Sequence, residues 1–189
     1  MSLPHWEYFL AIESDLENCS RFVEFCPDNF STYSLEFARI IMASGSEFDT
    51  VIKLLCKSIA PRKRPNNILK YYPILISKYP NFTLFEISIP RYKILLQPWK
   101  DWSATTSPDW WSKGYNKIKH ERDKFFKEAN LINALNAASG LLCGILYYYK
   151  ECFHGKAEID SRHAPRLFIP NDPSGLLSSG MFWPYYTPD

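Results

Sequence analysis

Asn116 and His120 are the residues of this 189-residue chain whose types and spacing are best suited to chemistry. They lie four positions apart in a segment whose apolar residues recur with helical periodicity, so both side chains project from one side of a helix. Histidine is the side chain best suited to proton transfer near neutral pH, and asparagine both donates and accepts hydrogen bonds. Lys119 and Asp123 lie beside them, so the four residues form a strip that we take as the candidate site.

Basic residues surround this histidine. Five of the eleven residues from 117 to 127 are basic: Lys117, Lys119, Arg122, Lys124 and Lys127. Metal-independent RNA cleavage requires a group that takes a proton from the ribose 2′-hydroxyl or gives one to the leaving oxygen. It also requires positive charge where negative charge builds on the phosphate. His120 suits the first role and Lys119 or Arg122 the second, so the pattern favours a phosphodiester partner.

Arg122 falls within the apolar arc of a helical wheel drawn at about 100° per residue. A guanidinium buried there without a carboxylate would carry a large desolvation cost. We therefore expect an acidic residue of the second helix to pair with it, and Asp49 or Glu47 is the preferred partner. The same helix carries Arg39 and Lys53 on one polar edge, as further candidates for phosphate binding.

A structural interpretation of the same residues stands beside the chemical one. Asn116, His120 and Arg122 can form a buried hydrogen-bond network that fixes helix packing, which is the commoner role of a single helical histidine. The protein is then a non-catalytic helical module that binds a nucleotide or a protein partner. The sequence contains no P-loop, GxGxxG, GxSxG or HExxH motif and its four histidines are scattered, so no cofactor or metal is expected.

Several helices must position these residues. Apolar periodicity predicts helices over 4–25, 33–59, 66–79, 109–127 and 129–149. A short alternating run interrupted by Pro90 predicts a β-hairpin at about 82–97. Five prolines after Gly155 exclude a further long helix and predict an extended tail that packs onto the helices. The expected fold is therefore mainly α, with a helical domain over 1–154 and a tail over 155–189.

Residues 129–149 include no charged side chain and are long enough to cross a membrane. The amides of Asn130, Asn133 and Asn136 argue against a span, because each would need a partner in hydrocarbon. We therefore expect a core helix and no membrane association. Its polar and small residues form a narrow strip suited to close helix packing, within the chain or in a dimer: Asn130, Asn133, Ala137, Gly140 and Gly144.

The composition limits the classes of partner and compartment. A formal net charge of +2 gives no strong general attraction to nucleic acid or membranes, so any such partner must be recognised by a local patch. Five cysteines without CxxC spacing, and no apolar leader after the Met-Ser-Leu-Pro start, predict a reducing cytoplasm and no structural disulfide. Aromatic residues make up 16% of the chain, which predicts extensive aromatic packing.

The segment WWSKGYNKIKHER (110–122), together with FKEANLINALNA (126–137), resembles the HEPN superfamily of helical domains. The likeness is greatest to bacterial members with a YNxxKHxR helix and an ANLxNALxA helix. It implies an up-and-down helical bundle and, in many members, endoribonuclease activity in toxin–antitoxin systems, abortive infection or other phage defence. It also implies RNA or a nucleotide, a second copy in a homodimer, and an antitoxin as partners. The hairpin and the tail fall outside the resemblance.

The RNase motif of that superfamily consists of an arginine, a polar residue that is often asparagine, and a histidine after a gap of four to six residues. Asn116 and His120 match the polar residue and the histidine, whereas Tyr115 stands at the arginine position. A neutral tyrosine stabilises an anionic phosphate much less than a guanidinium does. Arg122 or Arg39 is the residue that would take the place of the missing arginine.

Overall fold

The structure, a computed structural model, describes residues 3–153 and 164–171. Five α-helices pack together: α1 (Pro4–Cys19), α2 (Leu35–Ile59), α3 (Ile68–Lys78), α4 (Lys117–Phe125) and α5 (Leu131–Cys152). A small antiparallel sheet consists of β1 (Ile87–Ile89), β2 (Ile94–Leu96) and β3 (Ile169–Pro170), in the order β2-β1-β3. The prediction of a mainly α fold with a small hairpin is confirmed.

The helix α5 lies in the centre of the fold and packs mainly against α2. It has the length and the hydropathy of a membrane span, but 83% of its most apolar window is buried among the other elements, as in the core helix of a soluble protein. Its small residues admit aromatic rings: Gly140 lies against Trp110 and Trp99, and Gly144 lies against Phe48. The strip of polar and small residues on α5 therefore contributes to packing within the chain.

Large aromatic side chains fill the space between α2, α5 and the segment that precedes α4. Trp99 stacks on Phe48 with ring centroids 4.3 Å apart, and it meets Trp110 edge-on at 4.8 Å. Both indole N–H groups are satisfied, because Trp99 donates to the carbonyl of Gly140 and Trp110 to the carbonyl of Pro98. The predicted aromatic packing is confirmed, and all five cysteines are free, as expected.

Polar side chains mark the beginnings of three helices. Ser34 Oγ accepts a hydrogen bond from the backbone N–H of Phe37, Asn67 Oδ1 from that of Lys70, and Asn130 Oδ1 from that of Asn133. Such caps satisfy N–H groups that have no partner within the helix. They place the first residues of α2, α3 and α5 two positions later than the apolar periodicity predicted. The first helix ends at Cys19 instead of reaching 25, because turns follow before the extended residue Cys26.

The predicted helix over 109–127 is not one regular α-helix. A π-helical segment over Trp110–Asn116 leads into α4, and a 3₁₀ turn over Phe126–Glu128 follows it. Within α4, Glu121 leaves helical geometry with φ −143° and ψ 42°. A π-helical turn contains more residues than an α-helical turn, and a non-helical residue changes the direction of the side chains after it. A single α-helical wheel therefore misplaces the residues beyond Glu121.

The sheet joins the hairpin to the C-terminal part of the described chain. Ser88 in β1 pairs with Leu95 in β2 and, on the other side, with Ile169 in β3. The predicted strand began at 82, but Phe82–Leu84 form a 3₁₀ turn. Leu167 and Phe168 are buried, so residues 164–171 pack on the helices. The other residues of the predicted tail, 155–163 and 172–189, lie outside the described residues.

A buried carboxylate on α1 holds this strap, residues 164–171, in place. The side chain of Glu13 is 3% exposed and accepts hydrogen bonds from three consecutive backbone N–H groups: Arg166 at 3.0 Å, Leu167 at 2.8 Å and Phe168 at 3.0 Å. Burial raises the pKa of this carboxyl, although the three donors oppose the shift. The strap is thus attached to the helices by a polar contact as well as by its apolar side chains.

Candidate functional site

A groove of about 1010 Å³ lies between the first turns of α2 and the helix α4. Its volume is at the upper end of the range typical of ligand pockets, which is roughly 300–1,000 Å³. Apolar side chains from both helices form part of the lining: Leu35, Ala38, Met42, Ile118 and Phe126. The polar lining consists of three cationic residues, one histidine and one acid: Arg39, Lys119, Arg122, His120 and Asp123.

His120 reaches the groove from α4, two positions after the buried Ile118. Its imidazole is exposed, and it has no hydrogen-bond partner within the described part of the chain. The geometry therefore leaves both ring nitrogens available to a ligand in the groove.

Lys119 precedes His120 and is positioned by an aromatic ring. Its Nζ donates a hydrogen bond to Tyr115 Oη at 3.3 Å and lies 5.2 Å from the centroid of the same ring. A hydroxyl and a ring face orient the ammonium group without cancelling its charge. Lys119 thus brings a full positive charge to the edge of the groove.

Arg122 lies in the groove and not in the apolar core. Its guanidinium is exposed, and no carboxylate within the described ranges pairs with it. The prediction that Arg122 is buried against an acid of α2 is wrong. The physical reason is that α4 is not regular: Glu121, next to Arg122, has non-helical backbone angles, so a wheel drawn at one constant turn angle does not give the direction of the Arg122 side chain.

The two acids expected to meet Arg122 have other partners. Glu47 Oε1 lies 2.5 Å from Nδ1 of His5 on α1. Asp49 pairs with Lys53 one turn later and accepts a hydrogen bond at 2.8 Å from the hydroxyl of Tyr71. Both acids therefore hold neighbouring helices against α2 and contribute nothing to the groove.

Arg39 lines the groove from the α2 side but is already paired. Its guanidinium forms an ion pair with Asp15 of α1 at 2.6 Å and a second one with Glu36, one turn earlier in α2. These carboxylates raise the pKa of Arg39. They also compensate its charge, so a phosphate at Arg39 would have to compete with two acids. Arg122 is the guanidinium that a phosphate can engage without such competition.

Three predicted site residues lie outside the groove. Lys117 pairs with Glu121 at 3.1 Å, and its Nζ lies 4.6 Å from the ring centroid of Phe125. Lys53 pairs with Asp49, and the half-buried Asn116 does not line the groove. The structure thus brings together His120, Arg122, Lys119, Asp123 and Arg39 in the groove and leaves the other candidates outside it.

Tyr115 is a packing residue beneath the site. Its side chain is 5% exposed and lies directly on Gly45 of α2, where an added Cβ would come within 2.3–2.8 Å of three ring atoms. Real Cβ atoms do not approach other atoms so closely, so only glycine admits the ring at this position. Tyr115 is thus buried where the superfamily motif would require an exposed arginine.

The second sequence motif also has structural roles. Asn130 caps α5, and the buried Asn133 donates from Nδ2 to the carbonyl of Glu128 at 2.9 Å. These bonds fix the turn that joins α4 to α5 and thereby the end of the groove near Phe126. No group of three or more residues suited to metal binding occurs within the described ranges.

The α2 wall of the groove was missed by the sequence reasoning. Leu35 is 70% exposed, which is unusual for a leucine, and Ala38 and Met42 follow it at helical spacing. This i, i+3, i+7 pattern continues along the side of α2 that carries Arg39, and it could have indicated an apolar surface next to that guanidinium. This short apolar pattern is difficult to recognise in the sequence, because the larger apolar face of α2 lies on another side of the helix.

The groove thus combines an unpaired imidazole, an unpaired guanidinium and an ammonium group above an apolar floor. Such an arrangement can bind a phosphate, contact a base or another flat apolar group, and transfer a proton. A scan of protein-family models, a search of curated proteins and a search of solved structures found no match to this chain, so membership of the HEPN superfamily stays a prediction from the sequence motifs.

Proposed function

We propose that the groove between α2 and α4 binds single-stranded RNA and that His120 takes part in its metal-independent cleavage. The observation that carries the proposal is that His120 and Arg122 line the same groove and that neither side chain has a hydrogen-bond or ion-pair partner within the described chain. An unpaired guanidinium binds phosphate through two parallel hydrogen bonds. The apolar side chains of Met42, Ile118 and Phe126 would contact a base.

The proposed reaction needs a general base and a general acid, and His120 acts as one of the two. The 2′-oxygen of a ribose attacks the adjacent phosphorus, and the bond from phosphorus to the 5′-oxygen of the next nucleotide breaks. His120 takes the proton of the 2′-hydroxyl or gives one to the departing 5′-oxygen. Arg122 and Lys119 stabilise the negative charge on the phosphate in the transition state. The products are a 2′,3′-cyclic phosphate and a free 5′-hydroxyl.

We further propose that the active form is a homodimer. Each groove contributes one histidine, whereas the reaction uses both an acid and a base, so a second copy would supply the second imidazole. The resemblance to HEPN proteins also favours a dimer and a role as a toxin or phage-defence RNase, in which an antitoxin would be a further partner. The mass of the purified protein by light scattering tests the dimer.

The test is incubation of purified protein with single-stranded RNA in EDTA. Wild-type protein should cleave the RNA and leave cyclic phosphate ends, and a fully 2′-O-methylated strand should stay intact because it has no attacking hydroxyl. His120→Ala should slow cleavage by roughly 100-fold or more, the usual contribution of acid–base catalysis. Lys124→Ala on the same helix, outside the groove, serves as the control. RNA left intact by folded wild-type protein would refute cleavage.

A second candidate function is binding without cleavage, by a module that recognises RNA or a nucleotide. Two observations favour it: Asp15 and Glu36 compensate the charge of Arg39, and Tyr115 is buried where an arginine would be needed. Under this alternative the uncleaved RNA still binds and Arg122→Gln still weakens it. Binding that is unaffected by Arg122→Gln would contradict both candidates.

A further inference from the structure

The charge of this protein is distributed very unevenly along the chain. Residues 50–85 contain seven of its 22 basic residues and none of its 20 acidic residues. The remainder of the chain is therefore net negative by five, although the whole chain has a formal charge of +2. The small overall charge conceals a strongly basic segment, and a local field of this kind attracts polyanions.

Five of these basic residues lie together where α2 ends and α3 begins. We call this group the basic end: Lys57, Arg62, Lys63, Arg64 and Lys70. All five side chains are exposed, and none has an ion pair within the described chain. Lys53 and Lys78, the other two cations of the segment, are paired with Asp49 and Glu151. The unpaired charge is thus concentrated at one end of α2.

The loop at the basic end has a defined shape. Pro61 and Pro65 enclose the three basic residues, and Lys63 donates its backbone N–H to the carbonyl of Ala60 at 3.0 Å. One guanidinium N–H group of Arg64 donates to the carbonyls of Pro61 and Lys63. The α3 cap by Asn67 fixes the other side of the loop. Ordered cations lose less conformational entropy than mobile ones when they bind phosphates.

An exposed stripe of α2 connects the basic end to the groove. Arg39 and Lys57 are 18 positions apart, which is about five helical turns, so they lie on the same side of α2 roughly 27 Å from each other. The exposed residues between them on this side carry hydroxyl or ammonium groups and no carboxylate: Ser46, Thr50 and Lys53. The nearest carboxylate beside these residues, that of the half-buried Asp49, is neutralised by its ion pair with Lys53. A polyanion that occupies the groove can therefore follow this stripe from Arg39 to Lys57 without meeting an unpaired carboxylate on it.

We propose that the exposed stripe of α2 and the basic end form a track for the phosphate backbone of an RNA strand whose reactive nucleotide lies in the groove. This inference rests on the function proposed for the groove and extends the binding site beyond it. Contacts of cations with phosphates are independent of base sequence, so the track would favour long strands over short ones without selecting a sequence. The groove alone would decide which bond reacts.

The test compares the affinities of a 2′-O-methylated tetranucleotide and a 2′-O-methylated strand of about 20 nucleotides, measured by fluorescence anisotropy at several salt concentrations. The variant Arg62→Gln/Lys63→Gln/Arg64→Gln should weaken binding of the long strand at least tenfold. A plot of the logarithm of the variant's binding constant against the logarithm of the salt concentration should have a slope smaller in magnitude by about 2. Each phosphate contact to a single strand contributes roughly 0.7 to this slope. Tetranucleotide affinity should not change.

The matched control removes the same charge elsewhere, with Arg21→Gln/Arg91→Gln/Lys93→Gln, all three of which are exposed. An equal loss of affinity in this control would overturn the track, because it would show a general effect of net charge. Unchanged long-strand affinity in the basic-end variant would also overturn it. The track would also be overturned if the wild type bound anionic phosphatidylserine vesicles and the basic-end variant lost this binding but kept its affinity for RNA. The basic end would then serve to bind a membrane.

Failure of the groove proposal gives a different result. Arg122→Gln should weaken both the tetranucleotide and the long strand. If it changes neither while the basic-end variant still weakens the long strand, RNA binds at the basic end, and the groove is not its site. The two proposals are therefore separated by the same set of titrations.

Discussion

At the scale of single residues, the groove contains guanidinium groups in two different electrostatic situations. Arg39 is held by two carboxylates, whereas Arg122 faces solvent without one. The paired guanidinium is oriented but compensated, and the unpaired one is available to an anion. Lys119 is intermediate, since within residues 3–153 and 164–171 its ammonium group contacts the hydroxyl and the ring of Tyr115 and no carboxylate. Arg122 should therefore contribute more to anion binding than its neighbours do.

The first prediction concerns Arg122. Arg122→Gln should weaken the binding of single-stranded RNA by roughly tenfold, because a hydrogen bond to a charged group contributes about 1.5–3 kcal/mol and the glutamine retains one weaker donor. Lys124→Gln, which changes the same charge on the same helix outside the groove, should have little effect. Anisotropy titrations at one fixed salt concentration measure both, and equal affinities for the two variants would contradict the assignment.

The second prediction concerns the contact of Tyr115 with Gly45. Gly45→Ala should lower the free energy of unfolding by about 1–3 kcal/mol, because its methyl group would overlap the tyrosine ring. Gly114→Ala is the control, since an added Cβ there meets Asn133 at an ordinary 3.5 Å and alanine favours a helix. Urea denaturation gives both values. A Gly45→Ala protein as stable as the Gly114→Ala protein would mean that Tyr115 does not occupy this position.

At the scale of elements, irregular geometry determines which side chains reach the groove. A regular α-helix over 109–127 would place Arg122 beside Ile118 and Phe126 on a buried face. The π-helical segment and the break at Glu121 interrupt this regularity, and Arg122 is exposed in the groove, whose lining it shares with Ile118 and Phe126. By contrast, α2, α3 and α5 begin at their polar caps, two residues after the positions that the apolar periodicity predicted. Periodicity assumes one constant turn angle, so it cannot reveal an interruption of this kind.

The sheet is a second element that local sequence could not specify in full. Alternating residues indicated the hairpin of β1 and β2, whereas β3 pairs with residues about eighty positions earlier in the chain. No local pattern encodes a pairing of that range. Glu13 is similar: a glutamate on α1 is ordinarily exposed, and its burial depends on backbone N–H groups from the distant strap.

The third prediction tests how the strap is held. Glu13→Gln should increase amide hydrogen exchange of residues 166–168, because an amide oxygen replaces a carboxylate that accepts three N–H groups. The unfolding free energy should fall by about 1–3 kcal/mol. Exchange in the core of α2 should change much less. Glu17→Gln, one turn later on α1, is the control, and strap protection that is equal in the two variants would show that Glu13 does not anchor it.

The fourth prediction follows from the raised pKa of Glu13. A carboxyl whose folded pKa exceeds its unfolded value binds its proton more tightly in the folded state. Its contribution to the free energy of unfolding is therefore fully present when the pH is below the unfolded pKa. It declines as the pH rises through the folded pKa. As the pH rises from about 4.5, the free energy of unfolding of the wild type should therefore decrease relative to that of Glu13→Gln. Denaturation at a series of pH values measures it, and a relative increase over this range would contradict the direction of the shift.

At the scale of the whole molecule, charge separates two regions that the sequence total conceals. The basic end, which belongs to the acid-free segment over 50–85, lies at the C-terminal end of α2, and the groove lies near its N-terminal end. Counting charges over the entire chain predicted no strong field, whereas counting them in windows would have found the basic segment. His120, Lys119 and Arg122 were identified from sequence because they are neighbours on one helix. That Leu35 and Met42 of α2 line the same groove as these three residues depends on tertiary packing, which local sequence does not show.

The central claim is that RNA binds in the groove between α2 and α4. Hydrogen exchange of the wild-type protein, with and without an excess of 2′-O-methylated single-stranded RNA, measures this directly. The account predicts that RNA slows exchange at residues 35–42 and 118–126, with further protection at 57–70 when the strand is long. The sheet strands β1 and β2 should be unchanged. Protection confined to the sheet, or no protection at RNA concentrations far above those of the protein, would contradict the claim.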